Sequence, residues 1–506
     1  MSENGAPVRH TTRTGSPPVG LRTHHLVALL LSSHPPLTLL WVVVPTAFMV
    51  SRVVATPLVF GFAGLILFGF VLGYSGLGRR IRHAGGLYVQ VTSGLGRSVG
   101  LGAATLLFVS YIGLVSASYG LAEIVLKSLI SAVFGISVPL VGALLFTVGL
   151  IQCLSLASLR TLARSMIVAI GVQLLLVGWI AWTASSALHS QADGTVSTES
   201  LDPGWLLSGS FVVALLFALT GFVGSEGATV YSGELVDPHN SIPKATYLSY
   251  AVTTVVLVLG AWAVSGVVGP EAESAGGGTD PLAIFTSLVG SGTAGAVLHL
   301  LGFAAYLGVV TTAVTLNNNA ARQVAGLARD GVLPRTFLAS DAGTAPPARR
   351  ALMVQPIASG IVALLGTFSP QTALPLWLSI GSGLGVLAVL ALASAAAAVW
   401  FLVGEADESG FLGWEGQVVA GVFSVLLIGV VFGYGVTHIR QVAPGSPAMA
   451  SWLVGALIAG TFAVGVVGAQ LLRTRRPAVF AAIGGPRVRD ERLAPPHLSS
   501  VVPQSF

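Results

Sequence analysis

Glu226 is the residue in this chain whose surroundings most invite chemistry. It sits in Leu219-Thr220-Gly221-Phe222-Val223-Gly224-Ser225-Glu226-Gly227, an apolar run holding three glycines within seven residues. Each glycine weakens a helix by ~1 kcal/mol. Backbone groups freed within such a run must line a cavity or be buried in protein. A break of this kind offers N–H groups to anions and carbonyls to cations. Small residues also let helices pack closely, but an acid with no basic neighbour in sequence favours a binding site. The first apolar run carries a matching break at His34-Pro35-Pro36 and again at Pro45, since proline removes a donor and clashes one turn back. Two interrupted segments at corresponding places point to a ligand held between them.

Other candidates carry less chemistry. Glu123 and Lys127 have i,i+4 spacing with the acid first, so they are read as a structural ion pair on one helix face, a substrate role being the alternative. Asn317-Asn318-Asn319 is read as bending or capping the end of its span, with Asn318 in a gating or structural role. Gly381-Ser382-Gly383-Leu384-Gly385 has a dinucleotide-like look, but it lies in an apolar run without a βαβ unit, so helix packing is the reading. His34 is read as a buried, hydrogen-bonded histidine. The ten histidines show no metal-ligand spacing, and Cys153 is the lone cysteine; no metal and no cofactor are expected.

The elements that must position these groups are membrane helices. Hydrophobic residues make up 54% of the 506 and charged residues 8%, where soluble domains carry ~25% charged; mean hydropathy is +0.85. There is too little charge for a solvated surface, and the apolar runs are continuous, unlike alternating barrel strands. Spans are read at 26–50, 55–76, 98–130, 138–157, 165–187, 207–234, 245–268, 293–325, 351–368, 373–402, 414–435 and 451–472, each long enough for a ~30 Å hydrocarbon core. The third and eighth are long enough to tilt strongly or to project beyond the bilayer. A piece from Pro281 to Val289 is too short to span and is read as interfacial or re-entrant. Of the 24 Lys and Arg, 21 fall on one side of this arrangement, leaving Arg52, Lys127 and Arg440 opposite. Both termini are therefore expected in the cytoplasm of a multi-pass protein of the cell membrane. Residues 1–25 and 473–506 read as polar tails with no cleavable leader. The arginines at 473–476 are read as a flank that stops transfer, with membrane lipid headgroups as the alternative. Net charge of +5 arises from these flanks, so no nucleic acid partner is expected.

Three motifs look familiar. Thr220-Gly-Phe-Val-Gly-Ser-Glu226, with Tyr231-Ser-Gly-Glu-Leu-Val-Asp-Pro238 and Ser241-Ile-Pro-Lys-Ala245, resembles the sixth helix of amino acid–polyamine–organocation permeases. Asn318-Ala-Ala-Arg-Gln and Leu327-Ala-Arg-Asp-Gly-Val-Leu-Pro334 resemble the end of that family's eighth helix and the loop after it, and Ala84-Gly-Gly-Leu-Tyr-Val89 the loop after helix two. The resemblance implies an all-α polytopic membrane fold of about twelve helices. Two five-helix inverted repeats (26–187 and 207–402), with helices one and six discontinuous, precede two accessory helices (414–472). It implies a permease, not an enzyme, moving an amino acid or related amine by alternating access, coupled to H+ or Na+ or running as an exchanger. The substrate's carboxylate would meet backbone N–H groups at Val42, Val43, Val44, Pro45 and Thr46. Its ammonium would meet carbonyls at Leu219, Thr220, Gly221, Phe222, Val223 and Gly224. Glu226 matches an acidic position that some relatives use for proton coupling, and Thr311 and Thr312 lie where hydroxyls ligate sodium in others.

The chain departs from the family in two places. Trp41-Val-Val-Val-Pro45 stands where relatives carry a glycine-rich break, and Gln173 is the strongly polar residue of a fifth span where some proton-coupled relatives place lysine. A non-transporting sensor on the same scaffold is the alternative that these departures keep open. A membrane-embedded transferase is disfavoured, because the connections lack convergent acids or metal ligands.

Overall fold

The computed structural model describes residues 20–80, 85–191, 199–207, 209–268, 295–339, 347–368, 374–403, 413–443 and 449–485. The helices in chain order are α1 (Thr23–Ser51), α2 (Thr56–Arg80), α3 (Leu87–Leu95), α4 (Arg97–Phe134), α5 (Leu140–Ser155) and α6 (Leu159–Gln191). There follow α7 (Phe211–Thr220), α8 (Pro238–Val268), α9 (Gly295–Arg329), α10 (Arg349–Thr367), α11 (Leu374–Val403), α12 (Gly413–Thr437), α13 (Ala450–Arg475) and α14 (Pro477–Ala482). Among the described residues there are no strands, only isolated bridges such as Leu21 with Leu235. Among the described residues eleven helical segments are long and apolar enough to cross a membrane, and α5 is a shorter apolar helix of 16 residues, about 24 Å long. The protein is thus an all-helical polytopic membrane protein. The 38 residues of α4 and 35 of α9 bear out the two long spans. The segment 281–289 lies outside the described residues.

Two of the spanning segments are not continuous helices. In α1 the first regular stretch ends at Ser33; His34 leaves the helical backbone region and Pro35 is extended. Proline pushes its predecessor out of the helical region, and two prolines in sequence supply no N–H to resume the ladder. Helix restarts at Pro36, passes through a wide π turn at Leu39–Val43, and continues as Val44–Ser51. The wide turn just ahead of Pro45 accommodates a residue without an N–H, so Pro45 does not break the helix. The other discontinuity follows α7, where the turn Gly221–Gly224 leads into a 3-10 stretch, Ser225–Glu234.

Packing brings the two breaks together. A Cβ at Gly224, whose φ is +107°, would collide with the Ser33 side chain. Only glycine meets both demands, the left-handed backbone and the close approach. The glycines of 381–385 serve contact: side chains added at Gly383 and Gly385 would run into Thr220 and Ser110. Around this centre α8 packs along α2, and α11 packs along α12 and α4. Asp237 and Pro238 start α8, the Asp237 carboxylate taking the Asn240 N–H at 3.2 Å and its side-chain amide at 2.8 Å. These bonds hold the Asp237 carboxyl below its ordinary value. Whatever stability the cap lends is complete above the unfolded value of ~3.9 and is lost as pH falls through the lower folded one.

Residues 477–485 do not behave as a free tail. They fold as α14 and a glycine turn against α3 and the loop after α9, with Ile483 fully buried.

Gly224→Ala should lower stability by about 1–3 kcal/mol, the cost of left-handed strain at a non-glycine residue, compounded by the clash. Gly429→Ala, where a Cβ meets nothing within 4 Å, should be neutral. Thermal unfolding of both variants in detergent checks the contrast.

Candidate functional site

The turn after α7 forms tight bonds with itself. Phe222 N–H reaches the Leu219 carbonyl, Val223 N–H the Thr220 carbonyl and Ser225 N–H the Phe222 carbonyl, while the carbonyls of Gly221 and Val223 take no part in these bonds. Glu226 folds back over the turn. Its Oε2 accepts the Gly224 N–H at 2.6 Å, and its Oε1 accepts the Tyr111 hydroxyl of α4, also at 2.6 Å. Tyr74 of α2 donates to the Glu226 carbonyl at 2.8 Å and accepts the Thr229 N–H at 2.9 Å. Glu226 is 1% exposed, and among the described residues no basic side chain pairs with it. A lone buried carboxylate is costly unless a proton or a cation neutralises it.

The facing break presents Ser33 and His34. The Ser33 hydroxyl donates to the Leu30 carbonyl at 2.6 Å, so its 3.0 Å contact with His34 is a bond from Nδ1–H to the serine oxygen. His34 Nε2 is then an acceptor, buried and without a partner among the described residues. On the other side of α1, Gln173 of α6 accepts the Leu37 N–H at 3.3 Å, replacing one ladder bond lost at the break. Its Nε2 and the Thr38 hydroxyl are buried and have no partner among the described residues, the latter lying against Gly308 of α9. Thr311 and Thr312 both donate to the Gly308 carbonyl, at 2.8 and 3.2 Å. The two threonines therefore stand beside Gly308, where α1, α6 and α9 meet.

Of the residues expected to meet a carboxylate, Val42 and Val43 close the π turn, and Val44, Pro45 and Thr46 continue it as regular helix. The Val44 N–H is committed to the Leu39 carbonyl. Val43 does face the glycine turn, 3.5 Å from the place of a Gly221 Cβ. The ladder is lost at His34–Pro35 instead. The Thr220 hydroxyl caps its own helix on the Phe217 carbonyl at 2.9 Å, and Phe222 stacks on Tyr250 of α8 with centroids 5.5 Å apart. Glu123 is buried, but its carboxylate meets the Thr367 hydroxyl of α10 at 3.2 and 3.3 Å rather than Lys127. The two residues share a helix face, yet the carboxylate turns toward the neighbouring helix.

A second buried cluster lies at the arginine-rich end of the bundle. Arg322 of α9 holds both oxygens of Glu234, at 2.9 and 3.1 Å, and also donates to Asn318 Oδ1 at 2.9 Å. Its guanidinium lies 4.5 Å above the Tyr231 ring, whose hydroxyl donates to Asn319 at 2.9 Å. Leu21 joins the same end of the chain, donating to the Glu234 carbonyl and accepting from Val236 N–H. The entry to α1, the end of the 3-10 stretch and α9 are thereby fastened together. Asn318 belongs to that fastening.

Tyr74 and Tyr111 stand outside every motif read from the sequence, and Tyr231 and Arg322 stand within the family-like motifs without a site role. The available signal was the phenol itself, since a tyrosine deep in an apolar span needs a partner for its hydroxyl. Which partner depends on helices far apart in sequence.

The sequence profile of a family described as amino acid permease matches residues 27–458. No curated protein matches the chain.

Removing one partner of the buried ion pair should cost about 3–5 kcal/mol by stranding the other charge. Arg322→Met alone should therefore lower the thermal unfolding midpoint sharply, while the double variant R322M/E234M should recover most of the loss.

Proposed function

Because the chain belongs to the amino acid permease family, and is on that ground a membrane transporter of amino acids or amines, we propose that it works by alternating access with Glu226 as its coupling group. The observation that carries this reading is the meeting of two interrupted helices, Ser33 against Gly224, beside a buried carboxylate with no basic partner among the described residues. Carbonyls of the turn and the bare His34 Nε2 offer acceptors to an ammonium group. Glu226 carries either a proton or the charge that balances a cationic substrate, and switching between the two ties substrate movement to a proton gradient.

The positive-inside pattern supports a cell-membrane orientation with both termini in the cytoplasm and the buried Arg322–Glu234 cluster toward the cytoplasmic side. The cluster then closes the cytoplasmic route, and opening that route requires its five hydrogen bonds around Glu234, Arg322 and Tyr231 to be exchanged for water. Thr311 and Thr312 are the alternative coupling site, for sodium, and the sensor reading predicts no transport at all.

Proteoliposomes separate these. A proton gradient should drive uptake of an amino acid or amine by the wild type in sodium-free buffer, and Glu226→Gln should abolish that uptake while leaving the unfolding midpoint near wild type. Undiminished uptake by E226Q rejects the coupling role, and a strict sodium requirement transfers it to Thr311 and Thr312. To identify the substrate, a thermal-shift screen of amino acids and amines should stabilise the protein by about 2.7 kcal/mol at a hundredfold excess over Kd. Absence of any shift would favour the sensor.

A further inference from the structure

Away from the paired breaks, a cleft of about 390 Å³ opens at the arginine-rich end of α13. Leu101 of α4, Val332 of the loop after α9, and Leu471 and Leu472 of α13 line it, and along α13 the lining runs from Gly468, taken as its floor, to Arg475 and Arg476, taken as its rim. A Cβ at Gly468 would meet no atom within 4 Å, so the floor is open space rather than a packed helix contact. Both rim arginines are exposed, and among the described residues no carboxylate pairs with them. The slot thus begins among apolar side chains on a membrane-spanning helix and ends at two guanidiniums where that helix leaves the apolar region.

An aliphatic slot capped by two cations matches one class of molecule. Guanidinium is a planar fork of donors suited to phosphate oxygens, and the walls suit a hydrocarbon chain. We propose that this cleft binds an anionic phospholipid, the phosphate on Arg475 and Arg476 and one acyl chain over Gly468 between Leu101 and Leu472. The site is independent of the transport reading.

Its position gives the bound lipid a consequence. Val332 follows by two residues Asp330, whose Oδ2 accepts both the Tyr88 hydroxyl at 2.9 Å and the Gly484 N–H at 2.8 Å. Leu101, Tyr88 and Ile483 belong to one apolar cluster, with Val332, Leu472 and Phe480 packed against it. An acyl chain in the cleft therefore completes the packing that docks residues 477–485 against α3 and the loop after α9.

Native mass spectrometry of the full chain tests this, using phosphatidylglycerol and phosphatidylcholine with identical acyl chains. Phosphatidylglycerol should be retained and phosphatidylcholine lost. Arg475→Ala and Arg476→Ala should each weaken phosphatidylglycerol binding about five-fold, the effect of ~1 kcal/mol per basic residue near an anionic surface. Gly468→Leu, which fills the floor, should weaken it with both arginines intact and the unfolding midpoint unchanged. Excess inorganic phosphate should leave the lipid bound, because the chain supplies part of the affinity. Equal retention of the two lipids, or full binding by R475A/R476A or by G468L, overturns the proposal. Displacement by phosphate alone overturns the acyl-chain half of it. The two-lipid comparison on the wild type decides the matter even if a variant fails to fold.

Discussion

A peptide group stripped of its helical partner inside a membrane has to find another, and the centre of this protein is arranged around that requirement. Where α1 stops at Ser33, the Gln173 side chain takes the Leu37 N–H. Where α7 stops at Thr220, Glu226 takes the Gly224 N–H, Tyr74 bonds the Glu226 carbonyl, and Asn319 Nδ2 reaches the Gly224 carbonyl at 3.4 Å. These four side chains come from four different elements. Replacing ladder bonds with side-chain bonds lets the backbone turn at mid-span, and it ties the orientation of α2, α6 and α9 to the shape of the two turns.

The protein treats its two buried glutamates of this region differently. Glu234 is held at both oxygens by Arg322, which is held in turn by Asn318 and Tyr231. That cluster is electrically balanced, and its function is to fasten. Glu226, eight residues earlier, receives a phenol and one amide N–H. It has hydrogen bonds but, among the described residues, no balancing charge. One interrupted helix thus holds one acid with an ionic partner and one without.

Much of the architecture was legible. Continuous apolar runs located the helices, with ends up to seven residues off, and the glycines around an acid without a basic neighbour in sequence marked the second break, whereas the equally dense glycines of 381–385 stay in regular helix because Thr220 and Ser110 pack against them. The first break was legible in kind but not in place. Both His34-Pro35-Pro36 and Pro45 read as interruptions, and only packing shows that Pro45 is absorbed by a π turn while the double proline is not. The Glu123–Lys127 spacing was a correct statement about one helix face, and Thr367 from α10 prevailed over it. The proline-rich C-terminal stretch looked uniformly polar and mobile, yet Ile483 found a buried seat on α3.

What the sequence determined by itself is whatever depends on near neighbours along the chain: which segments are apolar enough to cross a membrane, where glycine and proline forbid a regular helix, and which side of the bundle carries the arginines. Hydropathy and backbone sterics act over a few residues, so they can be read from letters. The tertiary structure decided which break faces which, that Tyr111 and Tyr74 rather than a cation attend Glu226, and that Arg322 attends Glu234. Those pairings join residues 88 to 152 positions apart. Nothing local distinguishes one buried tyrosine or arginine from another until the helices that carry them are packed.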